Sequence, residues 1–169
     1  MKKGIVIFCA AVVTLVIIAL IPKGVDEITH AVVNPNNGDI AFCYHDYSHA
    51  AHPLRIVAYD KFGEELFSKS FYTSRGASMT YSEDELCVSI GADNEKHSYD
   101  RQGNETESDI SIAEIEKNSG FSEWKISFGK KRYTLGEYVY CYDAPTIFKH
   151  RARLTISDGE NTKTIYESP

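Results

Sequence analysis

The sequence predicts an all-β domain of antiparallel hairpin repeats, carried outside the cell behind one N-terminal transmembrane helix. Three observations point there. Gly4 to Ile21 is a stretch of 18 residues without a charge and almost wholly apolar. The chain beyond it aligns with itself, without a gap, at an offset of 98 residues. Its apolar residues alternate at period 2 in short runs separated by Asn, Gly and Asp, the pattern of half-buried strands joined by turns.

As a helix, Gly4–Ile21 is about 27 Å long at 1.5 Å per residue, close to the hydrocarbon thickness of a bilayer. A helix satisfies every backbone group internally, as lipid requires. Lys2 and Lys3 precede the stretch, so the positive-inside rule keeps the tail in the cytoplasm and places everything after Pro22 outside. A cleaved signal peptide has a shorter apolar region and a small-x-small site; here the chain runs on as ALIPKGVDE. The expected organisation is a cytoplasmic tail over 1–3, an anchor over 4–22, a linker over 23–28 and an all-β extracytoplasmic domain over 29–169. The protein is thus expected at the cell membrane, crossing it once. Cys9 reads as a small apolar residue of the span.

All 24 acidic residues lie from Asp26 onward, against 15 of the 18 basic ones, so that portion carries a net charge of −9. Such a charge opposes long-range attraction to nucleic acid. Eleven tyrosines and other aromatics supply the material of a core.

The repeat justifies the elements in turn. At the offset of 98, Gly38 meets Gly136, Cys43 meets Cys141, Tyr44 meets Tyr142, His52 meets His150, Arg55 meets Arg153 and Asp60 meets Asp158. A shorter copy between them contains Cys87 and Asp100. Recurrence at about this period marks repeat architectures. Each unit begins at a turn, such as NPNNGD over 34–39. A strand follows, with Ile40, Phe42 and Tyr44 on one face and Ala41 and Cys43 on the other. After a variable loop comes a second strand, RIVAY or RLTIS, closed by an Asp and a Gly turn. In that turn the Asp side chain accepts bonds from amides and Gly takes the positive φ. MTY (79–81), VSI (88–90) and TKTIYE (162–167) read as further strands. SEWKISFGKKRYTLGEY reads as a hairpin in which Trp124, Ile126 and Phe128 alternate inward, Gly129-Lys130 turns, and Tyr133 and Leu135 return. DISIAEIEK (109–117) fits neither period and is left as strand or short helix.

The cadence NP-NNGD, strand, loop, IVAYDKFGEE resembles the blades of bacterial β-propellers, best over Val32–Ser70 and less closely over 82–106 and 136–167. The resemblance implies blade-like units of antiparallel hairpins and either binding or catalysis. Three units are fewer than the usual four to eight blades, so a β-sandwich of similar hairpins stands as the alternative.

HDYSHAAH (45–52) is a cluster with metal-ligand chemistry; NPNNGD and DNEKHSYD are oxygen-rich but lack the acidic spacing and terminal Glu of an EF-hand loop. His45, His49 and His52 would share a helix face, but Pro53 disfavours helix at His52, and the segment falls in a variable loop. These three are therefore weak metal candidates; no metal, cofactor or catalytic residue is expected. The three outer cysteines are expected as buried thiols on the less bulky strand face. No G-x-S-x-G, H-E-x-x-H, S-x-x-K or P-loop is present. The expected role is an outward-facing β-domain, not an enzyme, that binds or scaffolds an envelope protein or associates with itself, without nucleic acid. The alternative is an extracytoplasmic enzyme or a metal- or glycan-binding domain whose site is built from loop residues.

Overall fold

The structure, a computed structural model, describes residues 28–47, 50–73, 75–91, 95–119, 130–143 and 151–168. The anchor Gly4–Ile21, the expected strand at Trp124–Phe128, His49 and His150 lie outside them. No helix among the described residues is long and apolar enough to cross a membrane.

Three antiparallel meanders make up the fold. The first sheet is β1 (Ile28–Val33), β2 (Ile40–His45), β3 (Leu54–Tyr59) and β4 (Glu65–Phe71), in that order. The second is β5 (Ala77–Ser82), β6 (Glu85–Ile90) and β7 (Glu95–Tyr99). After α1 (Ile112–Asn118) the third is β8 (Lys130–Leu135), β9 (Tyr138–Asp143), β10 (Arg153–Ser157) and β11 (Thr162–Glu167). The repeat is therefore structural: Cys43, Cys87 and Cys141 each lie in the second strand of their own sheet.

The turns repeat as well. Asp60 Oδ1 accepts from the amides of Phe62 (2.9 Å) and Glu64 (2.8 Å), and Asp100 Oδ1 from those of Gln102 (2.9 Å) and Asn104 (2.8 Å). Asp158 Oδ1 does the same for Glu160 and Asn161. An acceptor on Asp satisfies amides that the tight turn takes out of the ladder. In the second sheet the strand after this turn shrinks to one bridge, Tyr99 to Glu105.

The sheets stack in three layers with the first in the middle. Ile40 and Phe42 point into one apolar cluster with Tyr140, Tyr142, Leu154 and Ile156 of the third sheet. Ala41 and Cys43, one residue out of phase, point into another with Met79, Leu86 and Val88 of the second sheet. Both faces of β2 are buried, so its apolar run is nearly continuous.

The same pattern shows why the described residues close no propeller ring. The first sheet meets the second with its Cys43 face against the bulky Leu86–Val88 face, a head-to-tail stacking that repeats can continue. It meets the third bulky face to bulky face. That second contact turns the third unit over, and its Cys141 face is left on the outside. Cys141 is accordingly half-buried, against the expectation of a core thiol, while Cys43 and Cys87 are buried; all three are free. A two-sheet sandwich is likewise too simple a description of three layers.

The segment that fits neither period is a helix. Ser111 Oγ accepts from the Glu114 amide, and Glu114 Oε2 from the Ser111 amide at 3.0 Å, a capping box that starts α1. The helix buries only Ile115 and packs on β5 and β6. Its end is tied down where Thr80 Oγ1 donates to Asn118 O at 3.4 Å and Ser119 Oγ bonds His30 Nε2.

Candidate functional site

In each meander the first and third connections fall at one end and the second at the other. The turn end is occupied with its own closure. Asn34 Nδ2 donates to Glu83 O (3.0 Å) and Asn37 Nδ2 to Asp84 Oδ1 (3.1 Å), which ties the β1–β2 turn to the β5–β6 turn. Tyr140 Oη donates to Gly38 O. Burial, with the nearby Asp39 charge, pushes the Tyr140 phenol well above its usual range, so it stays a donor. A depression of about 450 Å³ between Pro35, Lys61, Leu135 and Tyr138 lies here. Its cation is already engaged, with Lys61 Nζ 5.3 Å from the ring centroids of both Phe62 and Tyr138.

The loop end differs. His45 closes β2, and Leu54 opens β3. Between them Asp46 turns inward and is buried. Its amide donates to Pro53 O at 2.9 Å, and its Oδ2 accepts from Arg55 Nε at 2.6 Å. These two bonds lock the neck of the loop. His52 carries a φ of +44°, which a non-Gly residue adopts only when its surroundings hold it there. A carbonyl can only accept, so the 3.4 Å contact from His45 Nδ1 to His52 O makes Nδ1 the donor and, in the neutral ring, Nε2 an acceptor.

Above the neck the rings gather. Tyr47 and His52 lie 4.9 Å apart between centroids, Tyr47 and His45 6.3 Å. Tyr72 and Thr73 complete the wall, because Leu54 pairs with Phe71 and the chain past β4 therefore runs beside His52 and Pro53. The result is an open depression of about 390 Å³ lined by His45, Tyr47, Ala51, His52, Tyr72 and Thr73. Tyr72 is 85% exposed and Tyr47 47%. Phe62, at the turn end, is the other large hydrophobic exposed among the described residues.

The structure thus brings His45 and His52 to one site but assigns them to a ring-lined surface. His49 lies outside the described residues, and among those described no group of three metal-donor side chains assembles. Tyr72 is the residue that sequence reasoning misses. It stands 20 positions beyond His52, and only the β3–β4 register signals the approach. Cys43 and Cys87, both buried, are poor nucleophile candidates. Burial, opposed in part by a hydrogen bond from Thr29, pushes the Cys43 thiol up to about 11. Cys87 Sγ is enclosed by Ser98 Oγ (3.6 Å) and Ser108 Oγ (3.5 Å).

No protein-family model, no curated protein and no solved structure matches the chain.

Proposed function

We propose that the chain is a single-pass membrane protein whose outward-facing β-domain binds or scaffolds a partner in the cell envelope through the Tyr47–Tyr72 depression. One observation carries this reading. Two of the three exposed large hydrophobics among the described residues converge on one hollow, beside two imidazoles and on a loop whose neck is locked. Exposed aromatic rings grouped at a polar-rimmed surface are a mark of recognition, because leaving them in water costs free energy that a partner recovers. The charge-free stretch Gly4–Ile21 supports the anchor, and Lys2 and Lys3 support its orientation.

The test is site-directed photo-cross-linking of the full-length chain in its own membrane. A photo-activatable phenylalanine, which keeps an aromatic ring, replaces Tyr72 in one preparation and Arg132, exposed on the outer face of the third sheet, in another. Adducts at position 72 and few at position 132 are expected. Equal, background yields at both would sink the reading.

A further inference from the structure

We propose that the depression takes the sugar headgroup of an uncharged membrane glycolipid, with Tyr72 and Tyr47 as stacking faces. This inference rests on the binding reading above and names the ligand of the same surface.

The lining chemistry selects the ligand class. Two phenols, two imidazoles, one hydroxyl and one methyl group face the hollow. Among the described residues that line it none is Asp, Glu, Lys or Arg, although the portion from Asp26 onward carries a net charge of −9. The nearest carboxylate in sequence, Asp46, is buried and paired with Arg55. A phosphate or carboxylate ligand would find no lysine or arginine among the described lining residues to replace its water. An apolar peptide anchor needs a closed, desolvated pocket, and this hollow is open to solvent. A sugar ring answers both conditions. Its C–H face lies flat on the negative face of an aromatic ring, and its rim of hydroxyls bonds with phenols, imidazole nitrogens and Thr73 Oγ1. The volume falls within the roughly 300–1,000 Å³ of small-molecule sites.

Position selects the source. Ile28, the first residue of β1, pairs with Tyr44, next to His45. The chain therefore enters the domain at the end that carries the depression. Between the apolar stretch and Ile28 lie six residues, Pro22–Glu27, which reach at most about 20 Å. That tether keeps the depression near the bilayer surface. An acidic domain is repelled by anionic headgroups, and uncharged sugar headgroups are the surface groups that its neutral lining fits.

The experiment uses the full-length chain in nanodiscs of phosphatidylcholine, with or without digalactosyl diacylglycerol. Tyrosine nitration by tetranitromethane is mapped residue by residue by mass spectrometry. Nitration of Tyr47 and Tyr72 is expected to slow roughly tenfold at a glycolipid level ten times its Kd. Tyr166, packed against the core, serves as the internal reference. Tyr72→Ala should abolish the protection of Tyr47. Protection by a soluble neutral polysaccharide and not by the glycolipid overturns the assigned source. No protection by either, with adducts still forming at position 72 in the native membrane, overturns the sugar inference and leaves the binding reading standing. No protection and no adducts remove both.

Discussion

Arg101 holds the buried carboxylate of Asp39 with two hydrogen bonds, Nε to Oδ2 at 2.7 Å and Nη2 to Oδ1 at 3.1 Å. The pair joins the β1–β2 turn of the first sheet to the Asp100 turn of the second, across 62 residues of sequence. Asp39 exposes 3% of its side chain, Arg101 47%. Arg101→Met leaves a desolvated carboxylate without its cation. Because the arginine side is wet, the expected cost sits below the range for fully buried pairs, at about 1–3 kcal/mol. Asp39→Asn should cost less, since it removes the charge and keeps an acceptor. Urea unfolding of the parent and both variants checks the order; midpoints equal to the parent's would show that the pair contributes nothing.

The repeated cysteines should separate in reactivity. In a Cys9→Ala background, Cys141 is expected to react with a thiol reagent in the native state, and Cys43 and Cys87 only after unfolding. Cys43→Asp buries an uncompensated charge in the cluster between the first two sheets, at about 3–5 kcal/mol. Cys141→Asp, on the outer face of the third sheet, should stay within about 1 kcal/mol of the parent. Equal labelling or equal destabilisation would show that the third sheet does not pack with its bulky face inward.

Two glycines with similar backbone demands have different surroundings. Gly103 has φ +80°, and a Cβ there would stand 2.7 Å from Phe67 Cβ. Gly136 has φ +59° and open space. Gly136→Ala should cost about 1–2 kcal/mol from the left-handed backbone alone. Gly103→Ala adds a clash with an aromatic ring and should cost about 1–3 kcal/mol more. Thermal melts of the two variants measure the difference.

Acid should weaken the Asp turns. The Asn104 side chain, then the backbone amides of Asn104, Gln102 and Gly103, hold the Asp100 carboxyl below its ordinary 3.8. The amides of Asn161 and Glu160 do the same for Asp158. A carboxyl lowered in the folded state contributes stability that is present above the unfolded value and lost as pH falls through the folded one. Stability should therefore decline below about pH 4. Asp100→Asn keeps an acceptor for the turn amides and should flatten part of that decline. An unchanged acid slope in a denaturation series from about pH 5 to about pH 2.5 would count against the assignment.

Local chemistry carried much of this fold in the sequence. The alternation of Ile40, Phe42 and Tyr44 against Ala41 and Cys43, the Asp turns at Asp60, Asp100 and Asp158, and the inward set Tyr138, Tyr140 and Tyr142 depend only on strand period and turn stereochemistry. Both are readable within a few residues. The capping box of Ser111 and Glu114 was equally local, and apolar periodicity alone passes over it. The pairing of sheets was not local. Units so alike in sequence expose either a bulky or a small-residue face to a neighbour, and which two faces meet is settled by summed apolar burial and shape fit over residues far apart. That choice left Cys141 half-open. Register across β3 and β4, another long-range relation, brought Tyr72 to His52 and turned a histidine-rich loop into a ring-lined hollow.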